Sequence, residues 1–511
     1  MEIDLAQLDN SAAGSDLFRA EICIVGGGIA GLTLAHELER FGHDVLLLEA
    51  GDSSAGANPR VDEVLQTGRP HLGTTERIPG ALGGSSLVWG GQLLPLPDDA
   101  TWPVSSEELS PYSRRAERLL GVDDLPYDIS RFFEERRKPM PPVLNGLADL
   151  NCLLSKFAPF SHRNLAHTIG RSLRKRSHVR LVVHARAVEL LLAPSGDHIQ
   201  GVLVRSASGR MHRIEAAQTV LAAGTIESVR LLLASRSVIS EGIGNAHDQV
   251  GRNFHDHLTV TAATLRGQVR QQLLSLHPWI HGGTMHALKL AAVAQLRQRL
   301  RLNPVLAHLT IEEPVDGGIA AIRDWLRARQ REGTAKTVDP AQISQAVGGA
   351  ALLLLSAKFR HRRYVSPRAT VQLRVNVAQQ SPSASRIVLT QDGQPVLDWK
   401  IDESERSSLR TFSQYLRQHL GANNIDWNPS LFEPLASAPI PELDDARHPM
   451  GGACMGVDPR SSVVDTNLRV HGLNNLFVAS AAVFPDGSPQ LPTLPLMALT
   501  LRLAEHLHRC I

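Results

Sequence analysis

A chain of 511 residues is too long for one compact core, so two domains are expected and three are possible. Its 53 Lys and Arg residues nearly balance 51 Asp and Glu residues, and 43% of the chain is hydrophobic, which is typical of a globular protein and argues against a nucleic-acid partner. The cysteines have no Cys-x-x-Cys spacing, which argues against a structural zinc site and a disulfide framework; they are Cys23, Cys152, Cys454 and Cys510.

The first segment, Met1–Asp16, is polar and acidic. It has neither the basic start nor the apolar stretch of a secretory signal. The longest apolar run, around Ala350–Ala357, is far shorter than the ~20 residues that span a bilayer. We therefore expect a cytoplasmic protein in a reducing compartment, without a transmembrane segment.

An apolar strand, a glycine-rich turn, an amphipathic helix and a second strand follow one another within Glu21–Glu49. The three glycine positions of the dinucleotide fingerprint are occupied by Gly26, Gly28 and Gly31. In order, these glycines permit a tight turn, let the backbone approach a pyrophosphate and let the helix pack close to the strand. The amide groups and dipole at the start of the helix favour phosphate. Glu49 is placed to accept hydrogen bonds from the adenosine ribose. This pattern predicts dinucleotide binding but does not separate FAD from NAD.

Further along the chain, strands and helices alternate again, which indicates that the nucleotide-binding domain is interrupted by an insertion and then resumed. Thr74–Gln92 is rich in glycine and is predicted to be a loop. The predicted helices are Ser106–Leu120, Arg163–Arg176 and Ile226–Ala234, and the predicted strands are Val45–Leu48, Val179–Leu192, Ile199–Val204 and Gln218–Ala223.

The middle of the chain, Gly267–Tyr364, differs in composition from the segments before it. It is rich in Leu, Ala and Arg and has no glycine-loop motif. Helices are predicted at His286–Leu302 and Ile319–Arg331. Its basic cluster, Lys358–Arg363, is predicted to be a solvated helix end, with contact to an acidic partner or a membrane surface as the alternative.

Polar and apolar residues alternate along Ala369–Ala378, which predicts a half-buried strand. Its polar face carries Gln372, Arg374 and Asn376. Such a face is expected to border either solvent or an active site.

Two longer segments resemble the glucose-methanol-choline (GMC) oxidoreductases, a family of flavoenzymes. The first is Gly83–Gln92, with the sequence GGSSLVWGGQ, which resembles the family's loop along the flavin and its phosphates. The second runs from His448 to Thr493 and follows the family's motifs in order and spacing. Ala222–Glu227 and Val250–His257 are weaker matches, and the middle of the chain matches poorly, as the family's variable substrate domain leads one to expect.

The resemblance implies an α/β fold with two domains. One is a discontinuous Rossmann-type FAD-binding domain, comprising residues 17–100, 177–260 and 445–511. The other is a substrate-binding domain, comprising residues 101–176 and 261–444, with a mostly antiparallel sheet flanked by helices. The polar face of that sheet would roof the flavin.

FAD is the cofactor that the resemblance implies. The loop 80–92 contains no His or Cys, which favours non-covalent binding, and Trp89 is expected to be more structural than substrate-binding. Thr493 is predicted to cap the last helix, whose start would face the flavin pyrimidine. The residues implied to bind FAD are Gly26, Gly28, Gly31, Glu49, Gly84, Ser85, Trp89, Gly90, Gln92, Val188, Ala223, Gly224, Ser480, Ala481, Pro492 and Thr493.

In this family a hydride passes from a carbinol carbon to flavin N5 while a histidine removes the hydroxyl proton. His448 matches that histidine, and an imidazole with an ordinary pKa of ~6.5 can accept a proton near neutral pH. The family's second catalytic residue, an Asn or His before Pro-Thr, aligns with Leu491, which cannot form hydrogen bonds. Candidates for the missing role are Gln490, Arg374, Asn376, Gln92, His255 and His257.

The resemblance therefore implies an FAD-dependent oxidase or dehydrogenase that acts on an alcohol group of a sugar, a glycoside or a small natural product. Leu491 supports an alternative, a flavoprotein of the same fold with altered chemistry, such as a lyase, a decarboxylase or a tailoring oxidation. A binding protein that retains flavin for structure is a third possibility. No metal site and no catalytic role for Cys454 are expected, and the electron acceptor and oligomeric state stay open.

Overall fold

The computed structural model describes residues 1–8, 18–53, 63–75, 80–137, 139, 149–275, 278–315, 317–332, 340–380, 384–420, 425–432, 440 and 443–511. The strands are β1 Glu2–Asp4, β2 Arg19–Val25, β3 Val45–Leu48, β4 Leu65–Gln66, β5 Gln92–Leu93, β6 Leu150–Phe157, β7 Val179–Val183, β8 Ala185–Leu192, β9 Ile199–Ser206, β10 Met211–Leu221, β11 His257–Leu265, β12 Trp279–His281, β13 Thr284–Ala292, β14 Val305–Glu312, β15 Thr370–Ala378, β16 Arg386–Leu389, β17 Pro395–Asp398, β18 Ile425–Trp427, β19 Asp444–Asp445 and β20 Leu476–Val478.

The helices are α1 Leu5–Leu8, α2 Ile29–Arg40, α3 Leu72–Thr75, α4 Ser106–Leu119, α5 Ile129–Glu135, α6 Phe160–Arg163, α7 Arg171–Leu173, α8 Gly224–Ala234, α9 Gly267–Leu274, α10 Ala294–Leu300, α11 Gly318–Glu332, α12 Pro340–Leu355, α13 Glu403–Leu420 and α14 Thr493–Cys510. Among the helices of the described residues, none combines the length and apolar composition needed to cross a bilayer.

The first sheet carries the glycine loop. Within the described residues its order is β1-β7-β3-β2-β10, all parallel, with β20 also beside β10 and with β9 and β8 added in antiparallel fashion. The residues that end β2, β3, β10 and β20 lie opposite one another in register; they are Val25, Leu48, Leu221 and Val478. The loops that follow these strands therefore meet at one edge of the sheet, where α/β folds bind ligands.

The second sheet is antiparallel, with the order β18-β11-β15-β14-β13-β6-β5 among the described residues, and with β12 beside β13 and β19 beside β11. The alternation that predicted β15 is borne out, because Val371, Leu373 and Val375 are buried on one side, where α13 contacts the strand. Arg374 and Asn376 lie on the other side. A small third sheet joins β16, β17 and β4. The two large sheets confirm the predicted α/β fold class with its antiparallel second sheet.

Most predicted elements are present, and three were wrong in part. The predicted helix His286–Leu302 begins as a strand, because β13 is hydrogen-bonded between β6 and β14, and pairing overrides local helix propensity. Arg163–Arg176 is not one helix but is divided among α6, a π-helical turn at Ala166–Gly170 and α7. Val179–Leu192 is two strands, because His184 between them has a left-handed φ of 55°.

Candidate active site

The three fingerprint glycines have distinct steric surroundings. Gly26 has a φ of +108°, and a Cβ on it would lie 2.6 Å from the Ala222 carbonyl oxygen. A Cβ on Gly31 would lie 1.9 Å from the Gly26 carbonyl oxygen, so this glycine lets α2 pack against the turn. A Cβ on Gly28, which is the N-cap of α2, would meet no other protein atom within 4 Å. Among the three fingerprint glycines, the backbone is thus open to a ligand at Gly28.

Glu49 braces this loop with both of its carboxylate oxygens. Oε2 accepts from the Gly27 amide at 3.0 Å, and Oε1 accepts from the Gly51 amide at 2.8 Å. Burial raises the pKa of Glu49, while the backbone amides of Gly51 and Gly27 oppose this change. The sequence indicated a ribose acceptor at this position, but the bracing of the glycine turn was not foreseen.

The Gly83–Gln92 loop lies against the glycine turn. The Gly83 amide donates to the Gly27 carbonyl at 2.8 Å, and a Cβ on Gly84 would lie 3.1 Å from the Gly28 Cα. The backbones of Gly28 and Gly84 therefore approach each other closely at the start of α2. Ser85 and Gly90 are exposed on this loop.

Three side chains, two of the loop and one of α11, fix the Gly83–Gln92 loop to other segments. The Trp89 indole donates to the Arg163 carbonyl at 2.8 Å, as suits a structural role. The Gln330 carboxamide of α11 donates to the carbonyls of Ser86 and Trp89, both at 3.1 Å. At the end of the loop, Gln92 donates to Ser155 Oγ at 2.6 Å.

The other predicted FAD-binding residues lie in several parts of the fold. Ala223 and Gly224 follow β10, while Ser480 and Ala481 follow β20, so both pairs lie at the edge that carries the glycine loop. Val188 lies at a β-bulge in β8, between Ala187 and Glu189. This edge offers the starts of α2 and α8, neither capped by a side chain, together with an open Gly28. Such a cradle fits the diphosphate of a dinucleotide.

The N-cap assignment at the last helix was wrong. α14 starts at Thr493, and its N-cap is Pro492, which accepts from the Leu496 amide at 3.0 Å. No side chain caps this end, because Pro492 already has helical angles and the first turn therefore includes it. Pro492 and Thr493 are half-buried and follow directly on the cavity-lining residue Leu491.

A cavity of about 180 Å³ brings most of the predicted catalytic residues together. His448, Gln490, Arg374 and Asn376 all line it, and Leu491 lies among them. His255 does not line this cavity. Its remaining lining residues are Gln92, Leu94, His257, Thr259, Lys289, Leu306, His308, Asp444, Asp445, Ala446, Arg447 and Pro489.

His448 is held by a buried histidine and a buried aspartate. Its Nδ1 lies 3.2 Å from His257 Nε2, and its backbone amide donates to Asp256 Oδ2 at 2.7 Å. Asp256 also contacts His71 Nε2 at 3.1 Å and accepts from the His257 amide at 2.6 Å. Asp256 and His71 could not be given a role from the sequence, because their meeting depends on tertiary contacts across 185 residues.

The protonation of this cluster follows from its burial. Burial lowers the pKa of His448, although Asp256 and Asp445 oppose this effect. Burial, followed by repulsion from His448, lowers the pKa of His257 to about 3. Burial opposes ionisation of Asp256, but its hydrogen bond with His71 and the nearby imidazoles hold its pKa at about 2. At neutral pH His448 and His257 are therefore neutral imidazoles beside the Asp256 carboxylate.

A basic row crosses the second sheet on the cavity side. Lys289 on β13, His308 on β14 and Arg374 on β15 are direct cross-strand neighbours. Burial lowers the pKa of Lys289 to about 7. His308 Nε2 also lies 3.3 Å from Asn376 Oδ1. Lys289 and His308 were missed, because the first was assigned to a helix and the second to no element.

Leu491 lines the cavity and brings no polar atom to it. Gln490, its neighbour, is mostly buried, and its Oε1 has no hydrogen-bond partner among the described residues. An unpaired buried amide oxygen is costly unless a ligand or water satisfies it. Gln490 therefore has hydrogen-bonding capacity left for a molecule in the cavity.

Among the residues that the structure describes, two triplets have the spacing of metal ligands. They are Asp256, His257 and His448, and His71, Asp256 and Asp445. Their atoms are largely used in hydrogen bonds within the protein. Asp256 accepts from two backbone amides, and Asp445 accepts from the amides of Leu72, Gly73 and Arg447. The absence of a resident metal stays a prediction.

Comparison with known proteins gives two family matches. Residues 381–500 match a model described as GMC oxidoreductase, and residues 21–240 match one described as FAD dependent oxidoreductase. The fructose dehydrogenase large subunit of Gluconobacter japonicus is 24% identical, over 96% of this chain and 98% of that protein. The 6'''-hydroxyparomomycin C oxidase of Streptomyces lividus is also 24% identical, over 95% and 92% of the two chains.

Solved structures share the fold at lower identity. Pyridoxine 4-oxidase from Mesorbium loti is 16% identical with a TM-score of 0.61, covering 96% of this chain and 99% of that one. Formate oxidase is 17% identical with a TM-score of 0.58, covering 96% and 98%. These neighbours share both large parts of the fold described above.

Proposed function

The chain belongs to the GMC oxidoreductases and is an FAD-dependent enzyme, and on that premise we propose that it oxidises an alcohol group of a sugar, a glycoside or a small natural product, with His448 as the base. The observation that carries the proposal is the engagement of His448 Nδ1 by His257, at 3.2 Å, on the wall of a cavity. This contact leaves Nε2 of His448 for a substrate hydroxyl.

FAD, when bound, would supply the acceptor for the hydride that leaves the carbinol carbon. His448 Nε2 takes the hydroxyl proton, so the alcohol loses both hydrogens and becomes a carbonyl compound. The ionised Asp256 stabilises the imidazolium that forms, since its nearby negative charge raises the pKa of His448. The Gln490 side-chain NH2 would donate to the reacting oxygen in the place that an Asn or His occupies in the family, since Gln490 lines the cavity beside Leu491.

The cofactor contacts are proposed on the same basis. The open backbone at Gly28 and the uncapped starts of α2 and α8 would hold the diphosphate. The Gly83–Gln92 loop would lie along the flavin. The division of the chain into residues 17–100, 177–260 and 445–511 for FAD, and 101–176 and 261–444 for substrate, stays part of this proposal, as does a location in the cytoplasm.

The substrate class is supported by relatives that act on carbohydrate derivatives. Fructose dehydrogenase and two aminoglycoside oxidases, one of them the paromamine 6'-oxidase of Streptomyces fradiae, align over 95% or more of this chain. The cavity of about 180 Å³ is bordered by many hydrogen-bonding groups, which suits a polyhydroxylated ligand.

Anaerobic mixing of the holoprotein with panels of sugars, glycosides and alcohols tests the proposal. A substrate should bleach the flavin absorbance at about the rate of turnover, and His448→Ala should lower that rate by about 10²-fold or more while FAD stays bound. The proposal fails if the variant reduces its flavin as fast as the wild-type enzyme does.

Leu491 favours one second candidate, a GMC protein with altered chemistry such as a lyase or a decarboxylase. The same mixing experiment separates the two. If a substrate is consumed while the flavin stays oxidised throughout, the result supports the second candidate function. It also excludes alcohol oxidation for that substrate.

A further inference from the structure

Large apolar side chains form an exposed stripe on α12 and on the π-helical turn Ser356–Arg360 that continues it. Val347 is 64% exposed, Leu354 69% and Phe359 70%. Their spacing is that of one face of a helix. The exposed large apolar residues of this stripe are Val347, Leu352, Leu354, Leu355 and Phe359. Contiguous exposed apolar side chains often mark interaction sites on protein surfaces.

The opposite side of α12 is packed against α11. A Cβ on Gly349 would lie 2.8 Å from the carbonyl carbon of Gly318, so the two helices approach closely at this glycine. Ser356 is buried at the end of the same face. The stripe is therefore the outer face of a helical hairpin whose inner face is already used.

The hairpin and the turn after it concentrate positive charge. Residues 318–363 contain nine Lys and Arg against three Asp and Glu, whereas the formal net charge of the chain is only +2. Lys358 and Arg360 are exposed on either side of Phe359. Arg362 and Arg363 turn inward, to the Trp279 ring at 4.5 Å and to Glu313 at 3.6 Å. Exposed cations thus border the apolar stripe directly.

We propose that α12 and its π-helical turn bind the surface of a bilayer that contains anionic lipids. The apolar stripe would enter the boundary between headgroups and acyl chains, while Lys358 and Arg360 contact lipid phosphates. Helices that lie in the membrane plane have this arrangement of an apolar face beside basic residues. A peripheral position agrees with the absence of a membrane-crossing helix among the described residues.

A second copy of this chain is a poorer occupant of the stripe. Pairing of the same face about a twofold axis would place Lys358 and Arg360 of both copies in one interface, and residues 346–360 contain no Asp or Glu to neutralise them. Like charges at such an interface repel, whereas anionic headgroups neutralise them.

Flotation of the full-length holoprotein with vesicles tests this proposal. One set is made of phosphatidylcholine alone, and the other also contains phosphatidylglycerol. The protein should float with the anionic vesicles and much less with the neutral ones, and added salt should weaken binding. Leu354→Ser with Phe359→Ser, and separately Lys358→Gln with Arg360→Gln, should each raise the vesicle concentration needed for half-maximal binding about tenfold or more.

Matched controls change exposed residues elsewhere. Val457→Ser removes an apolar side chain that is 81% exposed, and Lys175→Gln with Arg460→Gln removes two exposed charges. These variants should bind like the wild type, and all variants should keep bound FAD and an unchanged Tm. The proposal is overturned if the wild type ignores anionic vesicles, if the stripe variants bind as well as it does, or if light scattering shows a dimer that Leu354→Ser with Phe359→Ser converts to monomer without any vesicle binding.

Discussion

Nδ1 of His448 and Nε2 of His257 lie 3.2 Å apart, so one ring donates a hydrogen bond and the other accepts it. If His448 is the base, the hydrogen belongs to its Nδ1, and His257 must be the acceptor. Since burial and repulsion from His448 lower the pKa of His257 to about 3, His257 stays neutral and keeps this accepting role over the physiological range. His257 is thus a positioning residue that selects the tautomer of His448.

His257→Leu removes the acceptor and should lower the rate of flavin reduction about tenfold, which corresponds to the ~1.4 kcal/mol of one hydrogen bond. His257→Gln can still accept at its amide oxygen and should recover much of that rate. Stopped-flow reduction under anaerobic conditions measures both. A purely structural role for His257 predicts instead that the two variants lose activity in parallel with their Tm.

The pH dependence of flavin reduction should report the state of His448. The base acts when it is neutral, so the rate falls as the pH drops through its pKa, which burial places below 6.5. Asp256→Asn removes a negative charge that raises this pKa, and the acid limb should therefore move to still lower pH. A limb that moves to higher pH, or stays in place, would contradict the assignment of His448 and Asp256.

Gln490→Leu should lower the reduction rate about 10²-fold, because the reacting oxygen loses its positioned hydrogen-bond partner. Adding Leu491→Asn to this variant returns an amide at the family's position and should restore at least part of the loss. Rapid mixing with one substrate across the wild type, both single variants and the double variant measures the effect. Should Gln490→Leu react at the wild-type rate, another residue holds the oxygen.

Two glycine substitutions separate cofactor binding from folding. Gly28→Ala adds a Cβ where no protein atom lies within 4 Å, so it should weaken FAD binding about tenfold or more and leave the stability of the FAD-free protein unchanged. Gly31→Ala meets the Gly26 carbonyl oxygen and should destabilise the protein by about 1–3 kcal/mol as well. FAD titration and urea unfolding distinguish them. Equal stability of the two variants would refute these separate roles.

Lys289 should make stability depend on pH. Burial lowers its pKa from 10.5 to about 7, so between these values the unfolded chain binds more protons than the folded protein. The free energy of unfolding therefore rises with pH across this window, by at most about 1.4 kcal/mol per pH unit from this residue. Lys289→Met should flatten that rise and stabilise the protein at pH 7, while Lys175→Met, at an exposed site, should not. Urea unfolding at pH 7.5 and 9.5 measures the slopes.

Local patterns account for what could be predicted from the sequence. The glycine turn and the alternation of β15 depend on neighbours within a few residues, so Gly26, Gly31 and Arg374 could be interpreted directly. The family resemblance added the catalytic assignment of His448 and the replacement of the second catalytic residue by Leu491. Neither could be inferred from hydrophobic periodicity.

Long-range pairing accounts for what could not be predicted. β13 looks helical by composition and becomes a strand only because β6 and β14 flank it. Lys289 could therefore not be placed beside His308 in advance. The same holds for His71, which is far along the chain from Asp256 and meets it only when both are buried. In each case the partner that decides the outcome is supplied by another segment of the fold.

The hydrogen bonds of Gln330 to Ser86 and Trp89 attach α11 to the loop beside the glycine turn. An opening wide enough for FAD to leave by way of this loop has to break both bonds or carry the hairpin with it. If FAD lies along this loop as proposed, its escape is coupled to movement of α11, and we expect contacts that hold α11 in place from outside to lengthen the residence time of the flavin.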